Sequence, residues 1–154
     1  YEWSDGTYAV VAPASARDIL AEGRTLNHCV TAERYFERMA KEESYILFLR
    51  HADKPDVPWY TLEVEPGGVI RQKRTHWNRQ EKDLDAAKDF LKRWQQEIIR
   101  RLGERERALQ KAAAAARIAE IDQLRRDGVV VHGGELTGTL LADVLLADLM
   151  EVCA

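Results

Sequence analysis

Residues 59–65, Trp-Tyr-Thr-Leu-Glu-Val-Glu, alternate with a period of two, and no other stretch constrains the fold of this chain as tightly. A period of two is the signature of a strand, which sends successive side chains to opposite faces. Tyr60, Leu62 and Val64 then share one face, while Trp59, Thr61, Glu63 and Glu65 share the other. Two further runs of strand length flank this one. Residues 45–50 form a short apolar run ahead of a loop holding Pro55 and Pro58, and residues 69–74 follow the turn Pro66-Gly67-Gly68. The pattern predicts a three-stranded antiparallel meander with one core face and one polar face.

The sequence on either side of the meander returns to helical spacing. Residues 17–20 read as a short helix that Gly23 stops, and a second helix is expected from about Asn27 to about Lys41, with Val30, Tyr35 and Met39 on one face. After the meander, Leu84, Ala87, Leu91, Trp94, Ile98 and Leu102 recur at steps of three or four, and Asn78 with Glu81 three residues later reads as a capping-box start. Gly103 is a weak break before a charged, alanine-rich helix over residues 104–126, which Gly128 stops. Residues 129–131 are a short strand candidate, and Thr137 or Thr139 begins a last helix carrying Leu141, Val144, Leu145, Leu149 and Val152. The fold class read from these patterns is α+β: short helices, the meander, then long C-terminal helices. We expect an α+β domain over residues 1–102. A helical extension over residues 103–154 packs on it or serves as an oligomer or partner surface.

At 154 residues the chain is long enough to bury about 70% of its unfolded surface without staples. No apolar run approaches the length of about 18 residues that a membrane helix needs, so no membrane association is expected. Two cysteines, Cys29 and Cys153, are far from a disulfide framework and point to a reducing, cytoplasmic setting. The first residue, Tyr1, with Glu2 and Asp5 nearby, reads as a domain boundary rather than a basic leader. The net charge of −3 hides an uneven distribution. Arg71, Lys73, Arg74 and Arg79 crowd residues 71–79 without an acid, whereas residues 135–154 carry Glu135, Asp143, Asp148 and Glu151 without a base.

Several residues could carry chemistry. Cys29, placed in the first turn of the expected second helix, would feel the positive end of the helix dipole, which favours a thiolate. A free cysteine is also among the residues most often buried, and neighbouring side chains on a helix point about 100° apart, so His28 is poorly placed to activate Cys29. His28 itself suits proton transfer near neutral pH, or a packing role. Thr61, Glu63, Gln72 and the strand bearing Arg50 or His51 are expected to converge on the start of that helix. Such a pocket would suit an anionic ligand such as a phosphate or nucleotide, with Glu63 as acid or base. The competing reading pairs Glu63 with Arg50 or Arg74 across the sheet. Arg71, Lys73, Arg74, Trp77 and Arg79 combine positive charge with an indole, as single-stranded nucleic acid binding requires, although a solvated strand end with Trp77 packed on a helix needs no ligand. Asn78 is a ligand-binding candidate or a helix cap. His28, Cys29, His51, His76, His132 and Cys153 show no paired metal-ligand spacing, so no metal site is assigned and no cofactor is named.

The ordered string Glu22-Gly23, Leu26, His28-Cys29-Val30, residues 45–50, Pro58, Thr61-Leu62-Glu63-Val64, Gln72, Arg74 and Asn78 resembles the PcfJ-like proteins of conjugative plasmids, integrative elements and phages. Thr31 and Thr75 stand where that pattern leads one to expect glycine. The resemblance covers residues 6–102 and implies a mobile-element setting without naming a reaction. Three functions follow as expectations. The first is a catalytic or nucleotide- or nucleic-acid-phosphate-binding domain around His28, Glu63 and Gln72, with Cys29, Arg50, Arg74 and Asn78 contributing. The second is a nucleic-acid-binding accessory factor working through residues 71–79. The third is a protein-interaction or inhibitory module using the C-terminal helices as a partner or self-association surface.

Overall fold

The computed structural model of the chain describes residues 1–26 and 33–152. In chain order these form β1 (Trp3–Ser4), β2 (Tyr8–Val11), α1 (Ala16–Leu26), α2 (Glu33–Ala40), β3 (Tyr45–His51), β4 (Tyr60–Val64), β5 (Ile70–Arg74), α3 (Lys88–Arg101), α4 (Glu104–Asp127) and α5 (Leu141–Asp148). Two 3₁₀ turns, His76–Asn78 and Lys82–Ala87, link β5 to α3. The sheet is antiparallel throughout, in the order β1-β2-β3-β4-β5. The α+β class and the three central strands match the sequence reading, while β1 and β2 are additional. They escape a periodicity reading because β1 has two residues and β2 four. The turn between them is closed by side-chain chemistry: Asp5 Oδ1 accepts the N–H groups of Thr7 and Tyr8, both at 2.9 Å, and Gly6 takes the left-handed conformation.

The register puts Val10, Leu47, Leu49, Tyr60, Leu62, Val64 and Ile70 on one face, where they pack against Leu84, Ala87, Phe90, Leu91, Trp94 and Ile98. This is the main core, with Tyr1, Trp3 and Tyr8 against its flank. The other face carries a smaller apolar cluster, Ile19 of α1, Tyr35 of α2 and Ile46 and Phe48 of β3, beside a row of polar residues. The polar face expected of the meander is present, and it is covered by helices. All five residues of β4 are buried, with Thr61 at 5% and Glu63 at 3% exposure.

Helix boundaries depart from the periodicity where backbone chemistry intervenes. The first helix runs through Gly23 to Leu26, and Gly23 is buried on its packed side, so the cost of a mid-helix glycine is carried by packing. The start expected near Asn27 for the second helix lies outside the described residues; its described part, α2, packs Tyr35, Phe36 and Met39 toward the smaller core. Asn78 caps no helix. It sits in the turn at φ 60°, and α3 begins at Lys88 after a 3₁₀ segment that already buries Leu84 and Ala87. Residues 129–131 contribute a single bridge, Val130 to Leu140, and α5 starts at Leu141. Gly128, at φ 62°, ends α4 as its left-handed cap.

The C-terminal segment lies on the sheet. Met150 and Ile70 exchange both backbone hydrogen bonds, at 2.8 and 3.0 Å, and the Gln95 amide donates to the carbonyls of Met150 and Gly68. The N-terminus is fastened too: Trp94 Nε1 donates to the Tyr1 carbonyl, and the Tyr1 hydroxyl donates to Glu106 while accepting the Gly67 N–H.

Candidate functional site

Charged side chains on a sheet face can be buried only if each finds a partner, since an uncompensated buried charge costs several kcal/mol. On the face beneath α1, α2 and α4 they do so in three groups. In the first, Arg50 of β3 forms a fork with Glu22 of α1, at 2.9 and 2.6 Å, with both side chains almost fully buried. Thr61 Oγ1 donates to Glu22 Oε1 at 3.2 Å, Arg50 Nε donates to the Pro55 carbonyl, and the guanidinium lies 4.7 Å over the Phe48 ring.

In the second group, Glu63 of β4 accepts from Arg38 of α2 at 2.7 Å, from the Ser44 hydroxyl at 2.9 Å and from the Gln72 amide at 3.2 Å. Arg71, the extra residue where the β4–β5 register shifts, lies 3.8 Å from Glu63 and 3.6 Å from Glu65 and donates to Glu120 of α4 at 2.8 Å. Burial works against the Arg71 charge, but Glu120, Glu63 and Glu65 outweigh it and hold the guanidinium firmly protonated. Glu65 accepts from Arg117 of α4 at 2.6 Å, while its second oxygen is buried without a hydrogen-bond donor. Burial pushes the Glu65 carboxyl above its ordinary range despite Arg117.

The third group joins β5 to the end of α5. Arg74 presents both terminal nitrogens to the Asp148 carboxylate, which also accepts from Gln80 at 2.7 Å. Lys73 is buried and donates to the Asp148 carbonyl at 2.9 Å, at the negative end of α5. Burial depresses the Lys73 ammonium below its ordinary value.

Between the first two groups lies a small, shallow cleft lined by Tyr35, Ile46, Thr61, Glu63, Gln72, Arg74 and Asn78. The structure therefore brings together Glu63, Gln72, Arg74 and Asn78 of the residues singled out in the sequence. Arg50 lines a separate groove of about 780 Å³ with Glu22, Asp18 and Asp56; Thr61 touches both systems. His28 and Cys29 lie outside the described residues, as does Cys153. His51 faces the opposite side and stacks on Trp59 at 3.9 Å between ring centroids. Glu63 makes neither of the cross-strand pairs expected of it, because Arg50 and Arg74 are taken by Glu22 and Asp148.

The basic stretch divides in two. Arg71, Lys73 and Arg74 are turned inward and engaged, whereas His76, Trp77, Asn78 and Arg79 are exposed. Trp77 is 66% exposed, so it does not pack on a helix as the alternative reading required. Trp77 and Asn78 are consecutive left-handed residues, at φ 57° and 60°, in a turn closed by Thr75 N–H donating to the Arg79 carbonyl. This conformation is ordinary for asparagine and costly for tryptophan. Thr75, at a position where glycine was expected, has φ −112°, which needs no glycine. Sequence reasoning placed Glu65 on this face but missed Tyr35, Arg38, Ser44, Arg117, Glu120 and Asp148, and it placed here Trp59, which packs in the main core instead. Among the described residues, no group of three or more His, Cys, Asp or Glu side chains is placed to hold a metal ion, and no helix is long and apolar enough to cross a membrane.

Comparison with known families gives the class. The family model described as PcfJ-like protein matches residues 1–91, more than half of the 154, and the chain belongs to this family. A protein of Listeria innocua, itself described as uncharacterized, is 32% identical over 69 residues, which are 45% of this chain. The aligned part spans only 15% of that relative's length. No solved structure matches the chain.

Proposed function

We propose that the cleft between α2 and the sheet is a nucleotide-binding site, taking one nucleotide unit of a mononucleotide or of a single-stranded nucleic acid. The observation that supports this most is the convergence of Thr61, Glu63, Gln72, Arg74 and Asn78 on one shallow cleft, beside the strained turn of Trp77 and Asn78 that exposes the Trp77 indole. Backbone strain of this kind, costing about 1–3 kcal/mol, collects where function maintains it. In this reading the base stacks on Trp77, the amides of Gln72 and Asn78 hydrogen-bond base edges or sugar hydroxyls, and Arg74 holds the phosphate. Glu63 serves as acid or base, with Arg38, Ser44 and Gln72 fixing its position. The roles of His28 and Cys29 rest on the sequence pattern.

Trp77 is far more exposed than Trp59 or Trp94, so nucleoside monophosphates added to the full chain should quench its fluorescence. Trp77→Ala should abolish the saturable part of that quenching while leaving the thermal midpoint unchanged. Glu63→Gln, which keeps the shape of its hydrogen bonds, should leave nucleotide binding in place and remove any turnover. Quenching that persists in Trp77→Ala, or none in the wild-type protein, overturns the reading.

A second reading is a protein-interaction module. It draws on Ile118 of α4, Leu146 of α5 and Leu136 of the loop between them, which are exposed at 59, 45 and 51%. Its mark is a mass in solution that rises with concentration and falls when Ile118 and Leu146 are both changed to Ser.

A further inference from the structure

We infer that the C-terminal helices are a built-in anionic cover of strand β5, with the Asp148 and Glu120 carboxylates occupying the places that nucleic-acid phosphates take when α4 and α5 are displaced. The inference rests on the nucleotide reading above and adds its regulation.

The geometry of the two contacts is that of phosphate recognition. Both terminal nitrogens of Arg74 meet the two oxygens of Asp148, the fork by which arginine binds a carboxylate or a phosphate oxygen pair. Arg71 and Arg38 both donate to Glu120, each to a different oxygen. Lys73 is buried and has the Asp148 carbonyl as its hydrogen-bond acceptor, a weak partner for a full charge. Arg74 and Lys73 are thus held by Asp148 of α5, and Arg71 by Glu120 of α4 together with Glu63 and Glu65 of the sheet.

The cover is also separable from what it covers. The family match ends at residue 91, so Glu120, Asp148 and Met150 lie outside it while Arg71, Lys73 and Arg74 lie within it. Helix α4 buries only Arg117 and Ile121 along its length from Glu104 to Asp127, and α5 buries only Ala142 and Asp148. Two helices with so little buried apolar surface are held largely by ion pairs and by the Met150–Ile70 backbone pair. Such contacts weaken with salt and yield to a competing polyanion. The same strand is basic and the same tail acidic in the bare sequence, where residues 135–154 carry four acids and no base. Displacing the cover therefore uncovers Arg71 and Arg74 on one face of β5, next to Arg79 and the stacking surface of Trp77, with Lys73 on the opposite face of the same edge strand.

The test is binding of a fluorescein-labelled single-stranded DNA of about 12 nucleotides, a length that such sites accommodate. Anisotropy is followed over a salt series for the full chain and for Asp148→Asn/Glu120→Gln. The double variant should bind at least tenfold tighter at low salt, and its log-affinity against log-salt slope should steepen by about 1.4 for two released cations. Adding Arg74→Gln to Asp148→Asn should remove its share of the gain. Glu120→Gln alone, at a partly exposed position, provides a variant that folds if the double variant does not, and should steepen the slope by about 0.7.

Unchanged affinity in folded variants overturns the cover, as does wild-type protein that already binds tightly with the steep slope. If mononucleotides still quench Trp77 in that case, the cover alone has failed and the cleft reading stands. If neither protein binds nucleotide or DNA, both are lost.

Discussion

The two faces of the sheet are built from the same strands and solve the burial problem in opposite ways. On β4, Tyr60, Leu62 and Val64 turn into an apolar core under α3, while Thr61 and Glu63, one residue away, turn into a layer of buried charge under α1, α2 and α4. The first face gains stability from every methylene removed from water. The second gains little, because desolvating each charge costs about as much as its partner returns. A chain that needed only to fold had no reason to build the second face this way. The comparison therefore locates most of the stability on the apolar side.

The comparison can be broken by substitution. Trp94 is fully buried at the centre of the apolar face, and Trp94→Ala should cost about 4–5 kcal/mol in urea unfolding, with loss of the tie to Tyr1. On the polar face, Arg50→Ala leaves Glu22 buried without its cation and should cost about 3 kcal/mol. Replacing both partners at once, as Glu22→Leu/Arg50→Met, should return the protein to within about 1 kcal/mol of wild type. A double variant as unstable as Arg50→Ala would mean that the pair itself holds the fold, and the contrast between the faces would fail.

The smallest effect is one of pH. Burial raises the folded-state affinity of Glu65 for its proton above the ordinary value of 4.5, so the folded protein binds that proton more tightly than the unfolded chain. Its contribution to stability is complete below about 4.5 and is lost as pH rises through the higher folded value. The wild-type protein should therefore lose stability relative to Glu65→Gln as pH is raised from about 4 to about 7. A difference that grows in favour of wild type over that range would show that Arg117 and Arg71 outweigh burial.

What the sequence made legible follows the same division. Period-two alternation identified β4 and its neighbours, and the step-of-three-or-four spacing of Leu91, Trp94 and Ile98 identified α3, because apolar patterning reports the apolar face directly. Glu63, Gln72, Arg74 and Asn78 could be grouped from their strand positions and the family pattern, and they do line one cleft. Their partners could not be foreseen. Arg38 reaches Glu63 from 25 residues away, Asp148 reaches Arg74 from 74 and Glu120 reaches the neighbouring Arg71 from 49, and a charged residue on a helix looks alike in sequence whether it faces water or a buried partner. The positive φ of Trp77 was equally hidden, since nothing about a tryptophan announces a left-handed backbone.

The reciprocal bonds between Met150 and Ile70 have a consequence for how this molecule behaves in company. An open antiparallel sheet ends in two rims whose unpaired N–H and C=O groups are templates for strands of other chains. One rim here is β1, too short at two residues to template anything. The other is β5, and there the residues after α5 occupy the rim themselves. At Ile70, where β5 begins, the tail thus takes up the backbone groups that a strand of another chain would need to start pairing there.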